Sequence, residues 1–118
     1  MNNNKNWIKM IAKVCHETNN AYRETIGEKP SPKWEETSDD QRNSMIDGVK
    51  NIIDGIITTP EKNHEAWIET KINQGWKKEN ESNMIPFKDL PYCQQFKDHL
   101  FMSIVKCFLS NYGPVTLN

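Results

Sequence analysis

No sign of charge dominates this sequence: 15 Lys and Arg stand against 16 Asp and Glu, a net charge of -1 over 118 residues. Holding DNA or RNA duplexes through counterion release needs a basic face, so no duplex partner is expected. Long apolar runs are missing too. None approaches the roughly 20 residues that span a bilayer. The Asn-rich start, residues 1–6, leads into an amphipathic stretch and not into the continuous apolar core of a signal peptide. No membrane partner is expected, and a cytoplasmic location follows. Cysteine is scarce: Cys15, Cys93 and Cys107 are odd in number and far apart, with no CxxC pair. That excludes a disulfide framework and a zinc site of the usual spacing. All three read as reduced, buried packing residues.

The signatures of catalysis are absent as well. There is no G-x-S-x-G elbow, no glycine-rich phosphate loop and no papain-like cysteine context. Cys15 precedes His16, but neighbours on a helix point about 100° apart and cannot pair as nucleophile and base. His16-Glu17 and His64-Glu65 repeat one dipeptide, yet neither has the second histidine of an H-E-x-x-H metal site. Glu35-Glu36 and Asp39-Asp40 are accounted for by a loop and a helix start. No catalytic residue, metal or cofactor is assigned, and an enzyme is not expected.

What is present is helical patterning. Over residues 7–25 one stripe carries Ile8, Ile11, Cys15, Thr18 and Tyr22, with Trp7 and Val14 beside it, until Gly27 and then Pro30 and Pro32 stop the helix. The linker 28–36 holds Trp34, which is expected to fold back onto the core, since leaving it in water forfeits roughly 1.5–3 kcal/mol. Ser38 with Gln41 forms a capping box for a second helix, whose buried face is Met45, Val49, Ile52 and Ile53, ending at Gly55. Ile56 and Ile57 are expected to anchor the turn. Thr59-Pro60-Glu61 opens a third helix carrying His64, Trp67, Ile68 and Ile72, ended by Gly75. Pro91 opens the last, with Phe96, Leu100, Phe101, Ile104, Val105, Cys107 and Phe108. It is apolar around more than half its circumference and is expected to be central, with Gly113-Pro114 ending it. The fold class is mainly α: about four helices around one core, with a short β-hairpin or an extended loop near residues 76–87. Residues 1–7 are expected to be a flexible N-terminus, 8–112 a single domain and 113–118 a fraying tail.

Several motifs carry more than periodicity. His64-Glu65-Ala66-Trp67, then Gln74-Gly75-Trp76, then Ile85-Pro86-Phe87-Lys88-Asp89-Leu90-Pro91 is similar to the repeat of ryanodine receptors, where an HExW helix is followed by GW, a hairpin and a P-aromatic-x-x-LP turn. Residues 11–17 through Tyr22, then Trp34-Glu35 and Gly48-Val49, resemble the stand-alone Ryr proteins of bacteria and phages. The resemblance runs from about Ile8 to Ser110. One departure is that the GW and P-aromatic motifs are joined only by residues 77–84, without the family's Gly-Pro and His-Pro. If the hairpin completes a ligand site, that site is altered here. The resemblance implies a non-enzymatic module that binds a nucleotide or nucleotide-derived signal and sequesters it. It also implies a homodimer that recovers the two-fold pairing of tandem repeats.

Two readings of the aromatic residues stand side by side. In one, Trp67 and Trp76, with Tyr22, Trp34 and His64, form a ligand site in which bases stack at roughly 1–3 kcal/mol each. Lys71, Lys77 or Lys78 would meet phosphates there, and Arg23 or Arg42 would do so with two hydrogen bonds. In the other, Trp67 is core and His64 satisfies a buried carbonyl. The alternative function is a protein-protein interaction or self-associating module with no small ligand, in which the aromatics form a patch.

Overall fold

A computed structural model of the chain describes residues 2–112. It has four α-helices, α1 (Asn2–Thr25), α2 (Asp39–Ile53), α3 (Pro60–Asn73) and α4 (Tyr92–Tyr112), and 3-10 turns at Trp34–Glu36, Lys78–Asn80 and Phe87–Asp89. The four-helix expectation holds. The expected stop at Gly113-Pro114 and the tail 113–118 lie outside the described residues.

Local chemistry sets the helix ends. Ser38 Oγ accepts from the Gln41 amide at 3.1 Å and Thr59 Oγ1 from the Lys62 amide at 3.2 Å, satisfying amides that a first turn leaves unpaired. Gly27, Gly55 and Gly75 all have positive φ. At Gly75 the φ of 91° lets Trp76 N reach back to Lys71 O at 2.9 Å, the Schellman closure, which fixes where Trp76 leaves the helix. At the other end of the chain, α1 begins at Asn2 and not near Trp7. Trp7 and Ile8 pack against the core, and from that anchor each further residue adds a helical bond without a new nucleus.

The core joins Ile11, Ala12 and Cys15 of α1, Trp34 of the first 3-10 turn, Val49 and Ile52 of α2, Ile57, and Met102 and Val105 of α4. Trp34 folds back as expected and is buried. The last helix is central, packing against the other three. Three expectations need correction. Cys93 and Cys107 are exposed, and only Cys15 is buried, its thiol pushed up to about 12 by burial. Ile57 anchors its turn, but Ile56 is 65% exposed. No strand forms among the described residues, so 76–87 is not a hairpin. Its polar middle offers no side chains for a pleated pair. The segment is held instead by Met84, which is buried, and by His64 Nε2, which donates to Ile85 O at 2.8 Å.

That clamp has a twin. His16 Nε2 donates to Pro32 O at 2.7 Å, and each histidine meets the aromatic that opens the 3-10 turn just ahead of the following α-helix: His16–Trp34 at 6.0 Å and 62°, His64–Phe87 at 6.1 Å and 58°. Arg42 donates to the carbonyls of Trp34 and Thr37, eight and five residues back, and Gln95 donates to those of Phe87 and Leu90, also eight and five back. The chain is therefore two copies of one helix–clamped turn–helix unit, α1–α2 and α3–α4. Gly48 of α2 holds the same place as Phe101 of α4, and a Cβ on Gly48 would lie 3.4 Å from the Phe101 ring. A residue facing its own counterpart marks a pseudo-two-fold axis.

Candidate functional site

A cleft of about 480 Å³ lies between α1 and α3, with α2 and α4 behind it. Its lining follows the duplication. His16 answers to His64, Asn19 to Trp67 and Arg23 to Lys71 on the first helices of each half. Ser44 answers to Lys97, Met45 to Asp98 and Gly48 to Phe101 on the second. The volume falls within the few hundred Å³ typical of small-ligand sites. The two ends differ in chemistry because the paired positions differ in sequence.

One end is aromatic. Trp67 stacks on His64, with centroids 5.6 Å apart and planes at 17°, and meets Trp76 edge-on at 6.3 Å. Lys71 Nζ stands 4.7 Å from the Trp76 ring centroid. Partial burial lowers the Lys71 pKa, and Glu81 opposes that shift. Among the described residues Lys71 has no carboxylate within 4 Å. Among the described residues its side chain makes one long hydrogen bond, 3.4 Å, to Gln74 Oε1. Trp76 is 42% exposed.

Behind Trp67 lies a buried polar group. His64 Nε2 carries its hydrogen toward Ile85 O, leaving Nδ1 to face Asp98 Oδ2 at 3.7 Å, while Asn63 donates to Asp98 Oδ1 at 3.0 Å. Burial pushes the Asp98 carboxyl up to about 6, against the pull of His64, Asn63, His99 and Lys97. From about pH 4 to about pH 6 the folded state therefore holds a proton that the unfolded chain has released. Stability should fall as pH rises through that window and level off above it. Urea titrations at several pH values should show this fall in the wild type and should lose it in Asp98→Asn. An unchanged slope in the variant would assign the effect to another group.

The other end is charged. Glu28, just past Gly27, receives Lys97 Nζ at 2.7 Å and Gln94 Nε2, and lies 3.2 Å from Arg23 Nε. Between the two ends Asn19 Oδ1 is buried and has no hydrogen-bond partner among the described residues.

Of the six expected site residues, the structure brings together Trp67, Trp76, His64 and Lys71. It does not add Tyr22 or Trp34. Tyr22 packs on Phe96 at 5.0 Å and donates to Cys93 O at 2.8 Å, outside the cleft. Trp34 is in the core. His64 satisfies a buried carbonyl, and its ring also backs Trp67. Arg23 is in the cleft, whereas Arg42 is spent on the turn before α2 and on Asp39. Glu28, Lys97, Asp98 and Asn19 were not foreseen. A usable signal existed: each His-Glu lies the same distance before a helix-ending glycine, which aligns Arg23 with Lys71. No helix of the described residues is long and apolar enough to cross a membrane.

Comparisons with protein-family models, with curated proteins and with solved structures find no match to this chain.

Proposed function

We propose that the domain is a non-enzymatic binding module of the Ryr type, whose cleft holds a nucleotide or nucleotide-derived ligand and sequesters it. The observation that carries this reading is the aromatic end of the cleft. There an ammonium without a carboxylate partner lies against one indole, with a second indole beside it and the rear of that second indole braced by His64. A planar base between or against these rings gains stacking, and its phosphate gains Lys71. The unpaired Asn19 Oδ1 supports the same reading, because a ligand N–H would relieve a desolvation cost of about 1–3 kcal/mol.

A thermal-shift screen against mononucleotides, dinucleotides, cyclic oligonucleotides and ADP-ribose derivatives tests the proposal. A ligand at 100 times its Kd stabilises the fold by about 2.7 kcal/mol, a shift of several degrees. Trp76→Ala should stay folded, being partly exposed, yet weaken a hit by roughly 5- to 150-fold, the worth of one stacked base. Calorimetric titration reads the change. A hit that Trp76→Ala leaves untouched would move the ligand elsewhere.

A second reading, self-association, draws on Tyr92 and Phe96, which are 87% and 47% exposed beside Tyr22. No hit in the screen, with a molecular mass that doubles on concentration and reverts in Tyr92→Ala, would favour it.

A further inference from the structure

We infer that the charged end of the cleft is an anion site for a phosphate-class group, held shut by the protein's own Glu28.

Three donors from two helices converge on one carboxylate. Lys97 Nζ donates to Glu28 Oε1 at 2.7 Å, Gln94 Nε2 donates to Oε2, and Arg23 Nε faces Oε1 at 3.2 Å. Two cations and an amide surround one carboxylate, with only part of the second charge offset by Asp98, the neighbour of Lys97 in the chain. The site is also incompletely filled. Arg23 Nε is buried but lies too far off line to hydrogen-bond Glu28, although the same guanidinium donates from Nη1 to Ser31 Oγ at 2.7 Å. A carboxylate has two oxygens in one plane. A phosphate presents three or more around a centre and can take Arg23 Nε, Lys97 and Gln94 together.

Glu28 is placed to leave. It follows Gly27, whose φ is 83°, in the loop after α1, and its side chain is 29% exposed. Its counterpart at the other end of the cleft is Trp76, the residue after Gly75. Each end is thus closed by the side chain that follows a helix-ending glycine, one a carboxylate and the other an indole. Burial opposes ionisation of Glu28, but hydrogen bonds from Lys97 and Gln94 and the charges of Lys97 and Arg23 outweigh it, and its pKa is lowered. The pocket therefore already prefers an anion, and Glu28 supplies it from within. Asn83 donates to Gln94 Oε1 at 3.1 Å, which ties the 77–84 loop to the same cluster.

The inference is independent of stacking at the aromatic end, and the experiment separates the two. Inorganic pyrophosphate is titrated by calorimetry into the wild type, Glu28→Gln and Glu28→Gln/Arg23→Gln, with folding checked by circular dichroism. Glu28→Gln should bind at least about tenfold more tightly than the wild type, one tenfold step being about 1.4 kcal/mol, and the double variant should lose that gain. ADP serves as a second ligand. Equal affinities for ADP and pyrophosphate place only the phosphates in the site. Tighter ADP binding that Trp76→Ala brings back to the pyrophosphate value engages both ends. Either result supports the anion site, and the comparison tests the aromatic end by itself. A folded Glu28→Gln that binds pyrophosphate no better than the wild type overturns the inference and leaves Glu28 as a structural tie. If Glu28→Gln fails to fold, carboxyl-detected NMR of the wild type decides. Pyrophosphate should raise the Glu28 titration midpoint as it takes over Lys97 and Arg23, and an unmoved midpoint sinks the idea.

Discussion

Trp34→Ala should cost about 3–5 kcal/mol, a large share of the 5–15 kcal/mol that holds a typical domain folded. Trp34 is 4% exposed and sits in one cluster with Ile11, Val49 and Ile57, so its loss opens a void where three segments meet. Its backbone is tied down as well. Its amide donates to Glu17 Oε2 at 2.8 Å, and its carbonyl accepts from Thr37 Oγ1 at 2.7 Å and from Arg42. These bonds survive the substitution and keep the turn close to α1, which prevents it from swinging away to relieve the void. Urea denaturation reads the result as a lower midpoint at unchanged slope. Trp34→Phe should lose much less and should bind any cleft ligand as the wild type does, because Trp34 does not line the cleft. A loss below about 1 kcal/mol in Trp34→Ala would mean that the core closes over the gap and that the backbone ties carry the turn.

Trp34 also shows what was legible in the sequence. A large aromatic between prolines and acids has few stable places other than the core, and that expectation held because burial dominates at such a position. Ser38, Thr59-Pro60 and the glycines ended the helices where expected, since capping is local chemistry read from neighbours in the chain. The hairpin failed for the opposite reason. Residues 77–84 have no strand partner, and a tertiary bond from His64, far back on α3, decides their course. Cys93 and Cys107 were misjudged because helical spacing shows that a face is apolar without showing how far its neighbours extend over it.

The duplication stayed hidden for a subtler reason. The side chains that clamp the two turns differ, Arg42 in one half and Gln95 in the other, although they reach the same carbonyls. Along the cleft the paired positions have diverged further, Asn19 against Trp67, Met45 against Asp98, Gly48 against Phe101. Only the repeated His-Glu, the pair Gln41 and Gln94, and the glycines after the first helix of each half survived as text. That divergence gives a near-symmetric cleft two unlike ends. Half of the candidate site was legible, because Trp67, Lys71 and Trp76 are close in sequence on and just after α3. Glu28 and Lys97 come from distant parts of the chain and meet only in the fold, beside Arg23, which the sequence had offered.

The repeated histidines offer a comparison inside one molecule, and His64→Ala should be the costlier of the two by about 1–3 kcal/mol, the cost of leaving one further buried polar group unpaired. Both histidines give up a hydrogen bond to a loop carbonyl, Pro32 O or Ile85 O, and leaving a buried carbonyl unpaired costs about 1–3 kcal/mol. Only His64 also faces a buried carboxylate and has an indole stacked on its ring, since the His16–Trp34 contact is edge-on. Its removal strands Asp98 at 12% side-chain exposure and opens space under Trp67. His16→Ala should therefore cost the carbonyl penalty and some packing, and no more. Denaturation of His16→Ala, His64→Ala, Asp98→Asn and the double variant His64→Ala/Asp98→Asn closes a thermodynamic cycle. Adding Asp98→Asn to His64→Ala should recover 1 kcal/mol or more, about the cost of one unpaired buried group. Equal losses at His16 and His64, with no recovery in the double variant, would place the whole effect in the loop clamps. Asp98 would then be a bystander in the cleft. The expected inequality instead makes the His64–Asp98 contact the brace that holds Trp67 in position at the aromatic end.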